Sequence, residues 1–106
     1  MADVRKVLGQ IAPAAKSETA LYTAPFSANL NIIVTNRSDA DSVVSIRIAV
    51  ADAAVNDKQY IAKDFKVPGN DFVEFNDLEV QATDVIYATA GNAEMSIQAF
   101  GAEATS

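Results

Sequence analysis

The sequence predicts an all-β chain: an antiparallel β-sandwich, jelly-roll-like, with seven or eight short strands and an extended N-terminal arm. Two observations carry this. Residues 29–51 hold two apolar runs of period two, with Leu30, Ile32 and Val34 on one face of the first. In the second, Val44, Ile46, Ile48 and Val50 share a face, and Ser45, Arg47 and Ala49 share the other. Successive strand side chains point to opposite faces, so period two marks a strand. The second observation is the spacing of turn signals, which recur about every 8–12 residues, the interval expected of sandwiches and jelly rolls.

Between the two runs, residues 36–42 contain Asn, Ser and Asp and no large apolar group. These are turn formers. The pair reads as an antiparallel hairpin, or as two adjacent strands with a loose loop, at the core of the sandwich.

At 106 residues the chain is read as one domain, with an arm at 1–18, the sandwich at 19–103 and a tail at 104–106. Half the residues are apolar, yet 20 are Ala, so the core must draw on Val, Ile, Leu, Phe and Tyr. A core this thin suits a subunit further stabilised by neighbours in an assembly. The net charge of −6 argues against nucleic acid or an anionic membrane as partner, because both require a basic face. No apolar run approaches the roughly 20 residues of a membrane-spanning helix. The N-terminal stretch, broken by Gly9, Gln10 and Pro13, is read as part of the mature protein and not as a signal peptide.

In chain order, Val4, Val7, Leu8 and Ile11 sit at helical spacing, but Gly9 and Pro13 oppose a durable helix. An extended arm that touches a neighbouring subunit is one reading, and a frayed terminus or first edge strand is the other. If it is an arm, removing residues 2–12 leaves the sandwich folded. Residues 19–25 form a short strand closed by Pro25, with the amphipathic Tyr22 at the core edge. Residues 52–58 read either as a helical turn or as a long loop. Residues 59–67 form a strand whose Lys63 and Lys66 suit an exposed edge. Pro68-Gly69 reads as a type II turn, with Gly69 taking the positive φ. Strands follow at 72–75 and 78–80, separated by a bend at Asn76-Asp77, then at 85–90 and 94–100 around the Gly91-Asn92 turn. Residues 101–106 are read as a tail.

The chemistry available is narrow. With neither Cys nor His, no Ser-His-Asp or Cys-His arrangement exists, and zinc, copper and haem ligation is disfavoured. The four glycines stand apart and make no phosphate loop. Asp39 and Asp41, and Asn76 and Asp77, are hard-oxygen groups in loops, but they match no EF-hand and read as turn formers. Glu74 and Glu79 face water and lack the aromatic cleft a glycosidase needs. The chain is therefore read as non-enzymatic, with no cofactor. Phe72, Phe75, Tyr87 and Phe100 are assigned to the core. Arg47 projects from the central strand either to pair with an acid across the sheet or to reach a partner subunit.

The order of motifs resembles small β-sandwich proteins from the virion-structure modules of tailed bacteriophages. The residues that carry the resemblance begin with Leu8-Gly9-Gln10, Leu21-Tyr22-Thr23-Ala24-Pro25 and Ile33-Val34-Thr35-Asn36-Arg37-Ser38. They continue with Ser45-Ile46-Arg47-Ile48-Ala49-Val50, Tyr60-Ile61-Ala62 and Asp84-Val85-Ile86-Tyr87-Ala88, and close with residues 96–103. The resemblance implies a virion protein without enzymatic activity, oligomeric, on the capsid surface or the tail. The short connection after Ser38 and the lack of an added receptor-binding domain favour a small cement-like subunit. The expected function is a capsid decoration protein that binds the outer shell in many copies, as trimers, against the major capsid protein or other virion proteins. The alternatives are a tail, neck or fibre component, and a carbohydrate-binding module. The expected contact residues are Val4, Val7, Leu8 and Ile11 of the arm, with Tyr22 and Arg47.

Overall fold

Eight strands make up the fold: β1 (Asp3–Ile11), β2 (Thr19–Thr23), β3 (Ala28–Asn36), β4 (Ser42–Ala49), β5 (Tyr60–Val67), β6 (Phe72–Val80), β7 (Val85–Ala90) and β8 (Met95–Ala104). The computed structural model describes residues 3–105. The strands form two four-stranded antiparallel sheets, ordered β1-β8-β3-β6 and β2-β7-β4-β5. The pairs are nested: β1 with β8, β2 with β7, β3 with β6 and β4 with β5. The first four strands thus run against the last four like one long hairpin, rolled so that β8 meets β3 and β7 meets β4. That is jelly-roll connectivity.

The alternation in β3 is the cleanest in the molecule: Leu30, Ile32 and Val34 are fully buried, and the residues between them face out. They meet Val44 and Ile46 of β4, Ile86 of β7, and Met95 and Ile97 of β8 between the sheets. The strands β3 and β4, read as a hairpin, lie in opposite sheets. Their apolar faces oppose each other across the core, and residues 37–41 carry the chain from one layer to the other.

The N-terminal segment is not an arm over its described part. Residues 3–11 are the edge strand of the first sheet, registered against β8 from Asp3↔Ala104 to Ile11↔Ile97. Leu8 and Ile11 pack on the core. Removing residues 2–12 would therefore strip a strand from the sandwich. The C-terminal boundary moves for the same reason, because Gly101 and Ala104 pair with Lys6 and Asp3 inside β8.

Three turns differ from expectation. The 72–75 and 78–80 strands are a single β6 with a bulge, where Asp77 adopts φ 62° and its N–H donates to Asn31 Oδ1 at 2.8 Å. At Pro68-Gly69 the positive φ falls on Asn70 (57°), not on Gly69. Val50 does not continue the inward face of β4. The strand ends at Ala49, and Ala51 and Asp52 both adopt left-handed φ, 53° and 55°.

Gly101 is required for close approach. A Cβ there would lie 2.2 Å from the Asn29 carbonyl oxygen and 2.7 Å from Leu30 Cα, both backbone atoms of the adjacent β3. Neither can move without opening the β3–β8 ladder. Gly101→Ala is expected to lose about 2–3 kcal/mol, read as a lower urea midpoint at unchanged m-value. A loss below about 0.5 kcal/mol would show that the ladder yields.

Candidate functional site

The six expected contact residues fall into three groups. Val4 and Val7 are exposed, at 46% and 55%. Leu8 and Ile11 are half-buried on the core. Tyr22 and Arg47 are buried, so they cannot meet a partner directly. Burial alone explains the correction for Tyr22. Its ring lies between the sheets, and its hydroxyl donates a short hydrogen bond to Glu103 Oε2. Lys6 Nζ sits 3.1 Å from the other oxygen of the same carboxylate. Lys6, Glu103 and Tyr22 thereby tie β1, β8 and β2 together at one open side of the sandwich.

Arg47 is the centre of a larger network on the outer face of the second sheet. Its Nε and Nη2 donate to the two carboxylate oxygens of Glu18 at 2.9 and 2.6 Å. Its Nη1 donates to Gln59 Oε1 at 2.7 Å, and its guanidinium carbon lies 4.1 Å from the Tyr87 ring centroid. Of the two sequence readings for Arg47, pairing with an acid holds, and the acid comes from the β1–β2 connection.

This network underlies an apolar loop. Gln59 Nε2 donates to the carbonyls of Ala54 at 2.9 Å and Ala53 at 3.4 Å. The Tyr87 hydroxyl donates to Asp52 Oδ1 at 2.6 Å. Buried Asp84 accepts from the Ala51 N–H at 3.0 Å through Oδ1 and from the Gln81 N–H at 2.8 Å through Oδ2. Two consecutive left-handed L-residues each cost on the order of 1–2 kcal/mol, and these hydrogen bonds hold them in place. The loop so held presents Val50 at 66% and Val55 at 60% exposure, with Ala51, Ala53 and Ala54 also in solvent. Exposed apolar side chains on a loop pinned in this way make it the candidate contact surface. Sequence reasoning missed it. The available signal was the run Val50-Ala51-Asp52-Ala53-Ala54-Val55, which is apolar without strand alternation and so has no face to bury.

The remaining candidates are structural. Phe72 is 53% exposed on the outer face of the first sheet, against the core assignment. Phe75 is half-buried and meets Phe65 edge-on, with centroids 5.6 Å apart, where β5 and β6 come together. Tyr60 and Tyr87 lie on the outer face of the second sheet, where a sugar would stack. Lys63, 4.5 Å from the Tyr60 centroid, and Arg47 over Tyr87 already cover those rings. In the loops, Asp41 accepts from the Gly69 N–H and pairs with Lys66, and Asp39 accepts from Asn70 Nδ2. Asn76 and Asp77 belong to the β6 bulge, away from them. Among the described residues no three acidic, His or Cys side chains gather as a metal site would require.

Three carboxyl groups are held below the usual range: Glu18 by the hydrogen bonds from Arg47, Asp41 by the one from the Gly69 N–H and then by Lys66, and Glu103 by the one from Tyr22 and then by Lys6. A carboxyl whose folded pKa is depressed stabilises the fold above its unfolded pKa, and that contribution is lost as pH falls through the folded value. Thermal midpoints are therefore expected to be flat above the ordinary carboxyl value of 4.5 and to fall progressively below it. Glu103→Gln should make the fall shallower. Equal slopes for the two proteins would remove Glu103 as a cause.

No protein-family model matches the sequence, and no curated protein shows significant similarity to it.

Proposed function

We propose that this chain is a non-enzymatic structural protein of a tailed-phage virion, a decoration subunit that binds the outside of the shell in many copies. The observation that carries the reading is the pinned 50–55 loop. A subunit that only covers a larger surface needs a rigid apolar contact and no reactive group. Hot spots in protein interfaces are apolar or aromatic anchors surrounded by groups that exclude water, and Val50 and Val55 have that character. The ordered motif resemblance supports the virion assignment. The jelly roll agrees with it, since viral capsid domains use this architecture, although lectins do too, and a fold does not by itself define a function. A bridging subunit of this kind would oppose internal DNA pressure by linking neighbouring shell proteins.

Cryo-EM of purified particles tests the proposal. Density on the capsid exterior is expected, with the 50–55 loop against the shell. Density confined to the tail or neck would move the chain to that component and reject the cement mechanism. Absence from the particle would reject the virion reading. Val50→Asp with Val55→Asp should weaken attachment to bare shells by tenfold or more, equivalent to about 1.4 kcal/mol or more, without lowering the thermal midpoint, because neither side chain is packed. Undiminished attachment would exclude the loop as the contact.

A further inference from the structure

The sandwich has four strand edges, and three are protected against further pairing. The β2 edge is five residues long and irregular between Ala20 and Tyr22. The β5 edge is irregular twice against β4, carries Lys63 and Lys66, and includes Asp64 at φ 50°. The β6 edge is broken by its bulge at Asp77. These are the usual devices that stop edge-to-edge pairing. The fourth edge differs. From Asp3 to Val7, β1 pairs residue for residue with β8, and its irregularity falls after that run, between Val7 and Gly9. No residue of β1 has a positive φ.

We propose that this free edge pairs with β1 of a second copy of the chain, antiparallel, about a two-fold axis at Val4. The charge pattern selects both the occupant and the register. A two-fold axis perpendicular to the sheet keeps every side chain on its own face, so each register is defined by the residue on the axis. Asp3, Arg5 or Lys6 on the axis would oppose like charges directly, which destabilises a cross-strand pair. Val7 on the axis would force the irregular segment into the new ladder. Val4 on the axis sets Val4 against its own copy and places Asp3 opposite Arg5 of the second copy, twice by symmetry. Arg5 and Asp3 lie on the outer face of the first sheet, Arg5 opposite Ala102 and Asp3 opposite Ala104 in β8. The new pairs would therefore sit side by side on the outer face of one continuous eight-stranded sheet. The same charges give specificity, because an unrelated strand meets Arg5 uncompensated. This inference does not rest on the virion reading, because it concerns the isolated protein.

The chain has no cysteine, which makes the test direct. Directly opposed residues of antiparallel strands have Cα atoms about 4.5–5.5 Å apart, within disulfide reach. Val4→Cys should therefore form a cross-linked dimer under mild oxidation. Val7→Cys should not, since its two copies would be about 20 Å apart. Adding Arg5→Asp to Val4→Cys should abolish most of the cross-link by setting acid against acid. Adding Asp3→Arg as well should restore it by exchanging the partners, and the restored variant also shows that the changes leave the strand folded. Equal cross-linking at positions 4 and 7, or no recovery on the double exchange, would overturn the proposal. A Val4→Cys protein that stays monomeric under the same oxidation would overturn it too.

Discussion

Glu18→Ala is expected to cost about 3–5 kcal/mol of folding stability, a fall in thermal midpoint of more than about 12 °C for a domain of this size. The reason is the asymmetry of the pair. The Arg47 side chain is 7% exposed, whereas that of Glu18 is 35% exposed. A guanidinium cannot shed its charge to escape burial. Without Glu18 it keeps only the Gln59 oxygen and the Tyr87 ring, both neutral. Removing Arg47 instead leaves a carboxylate that turns to water. Arg47→Met keeps apolar volume beside Tyr87 and removes the buried charge, so its cost should stay below about 2 kcal/mol. The decisive protein is the double variant Glu18→Ala, Arg47→Met. It should be more stable than Glu18→Ala alone, because the second change removes the stranded charge. Additive losses in urea unfolding would refute this account. The loss should also reach the 50–59 loop, since Gln59 holds the Ala53 and Ala54 carbonyls from its place against Arg47.

The strands were legible where burial is one-sided. Leu30, Ile32 and Val34 alternate with polar neighbours because one face of β3 meets the core and the other meets water. The same signal was ambiguous in β4, where Ser45, Arg47 and Ala49 are also buried. Arg47 is met by Glu18 and Gln59 and Ser45 by Asp64, residues distant in sequence, and no local pattern announces it. Gly9 counted only against a helix in this segment, because glycine breaks helices. Its place is set by the neighbouring sheet, since a Cβ there would lie 2.2 Å from the Leu21 carbonyl oxygen. The candidate loop was hidden for a related reason. Alternation carries Val50 inward with Val44 and Ile46, but the chain leaves the strand through Ala51 and Asp52 in left-handed conformations. Glycine would have marked such a turn. Alanine there has its N–H held by Asp84, which is 33 residues away. Arg47 and Tyr22 were correctly singled out as polar groups that need partners. Their partners lie inside the same sandwich.

Asn36→Leu is expected to lose about 3–4 kcal/mol, although leucine matches asparagine closely in length and is a better core residue. Asn36 is fully buried at the end of β3. Its Nδ2 donates to the carbonyls of Ala40 at 2.8 Å and Val67 at 3.1 Å. Its Oδ1 accepts from the Ser38 N–H at 3.0 Å and the Ser38 hydroxyl at 2.8 Å. One amide thus joins the β3–β4 crossing to the last residue of β5. Leucine would leave the Val67 carbonyl without that donor where the side chain around it is fully buried, and an orphaned buried acceptor costs about 1–3 kcal/mol. Asn36→Asp separates the donor role from the acceptor role. It keeps the oxygen for Ser38 and turns a second oxygen toward two carbonyls, so near neutral pH it should be at least as damaging as leucine. Protonation would restore one donor. Asn36→Asp should therefore gain stability relative to the parent as pH falls below neutrality, whereas the parent only loses it in acid. If Asn36→Asp instead tracks the parent's pH profile at a constant offset, the two donated hydrogen bonds do not hold this corner together, and packing must.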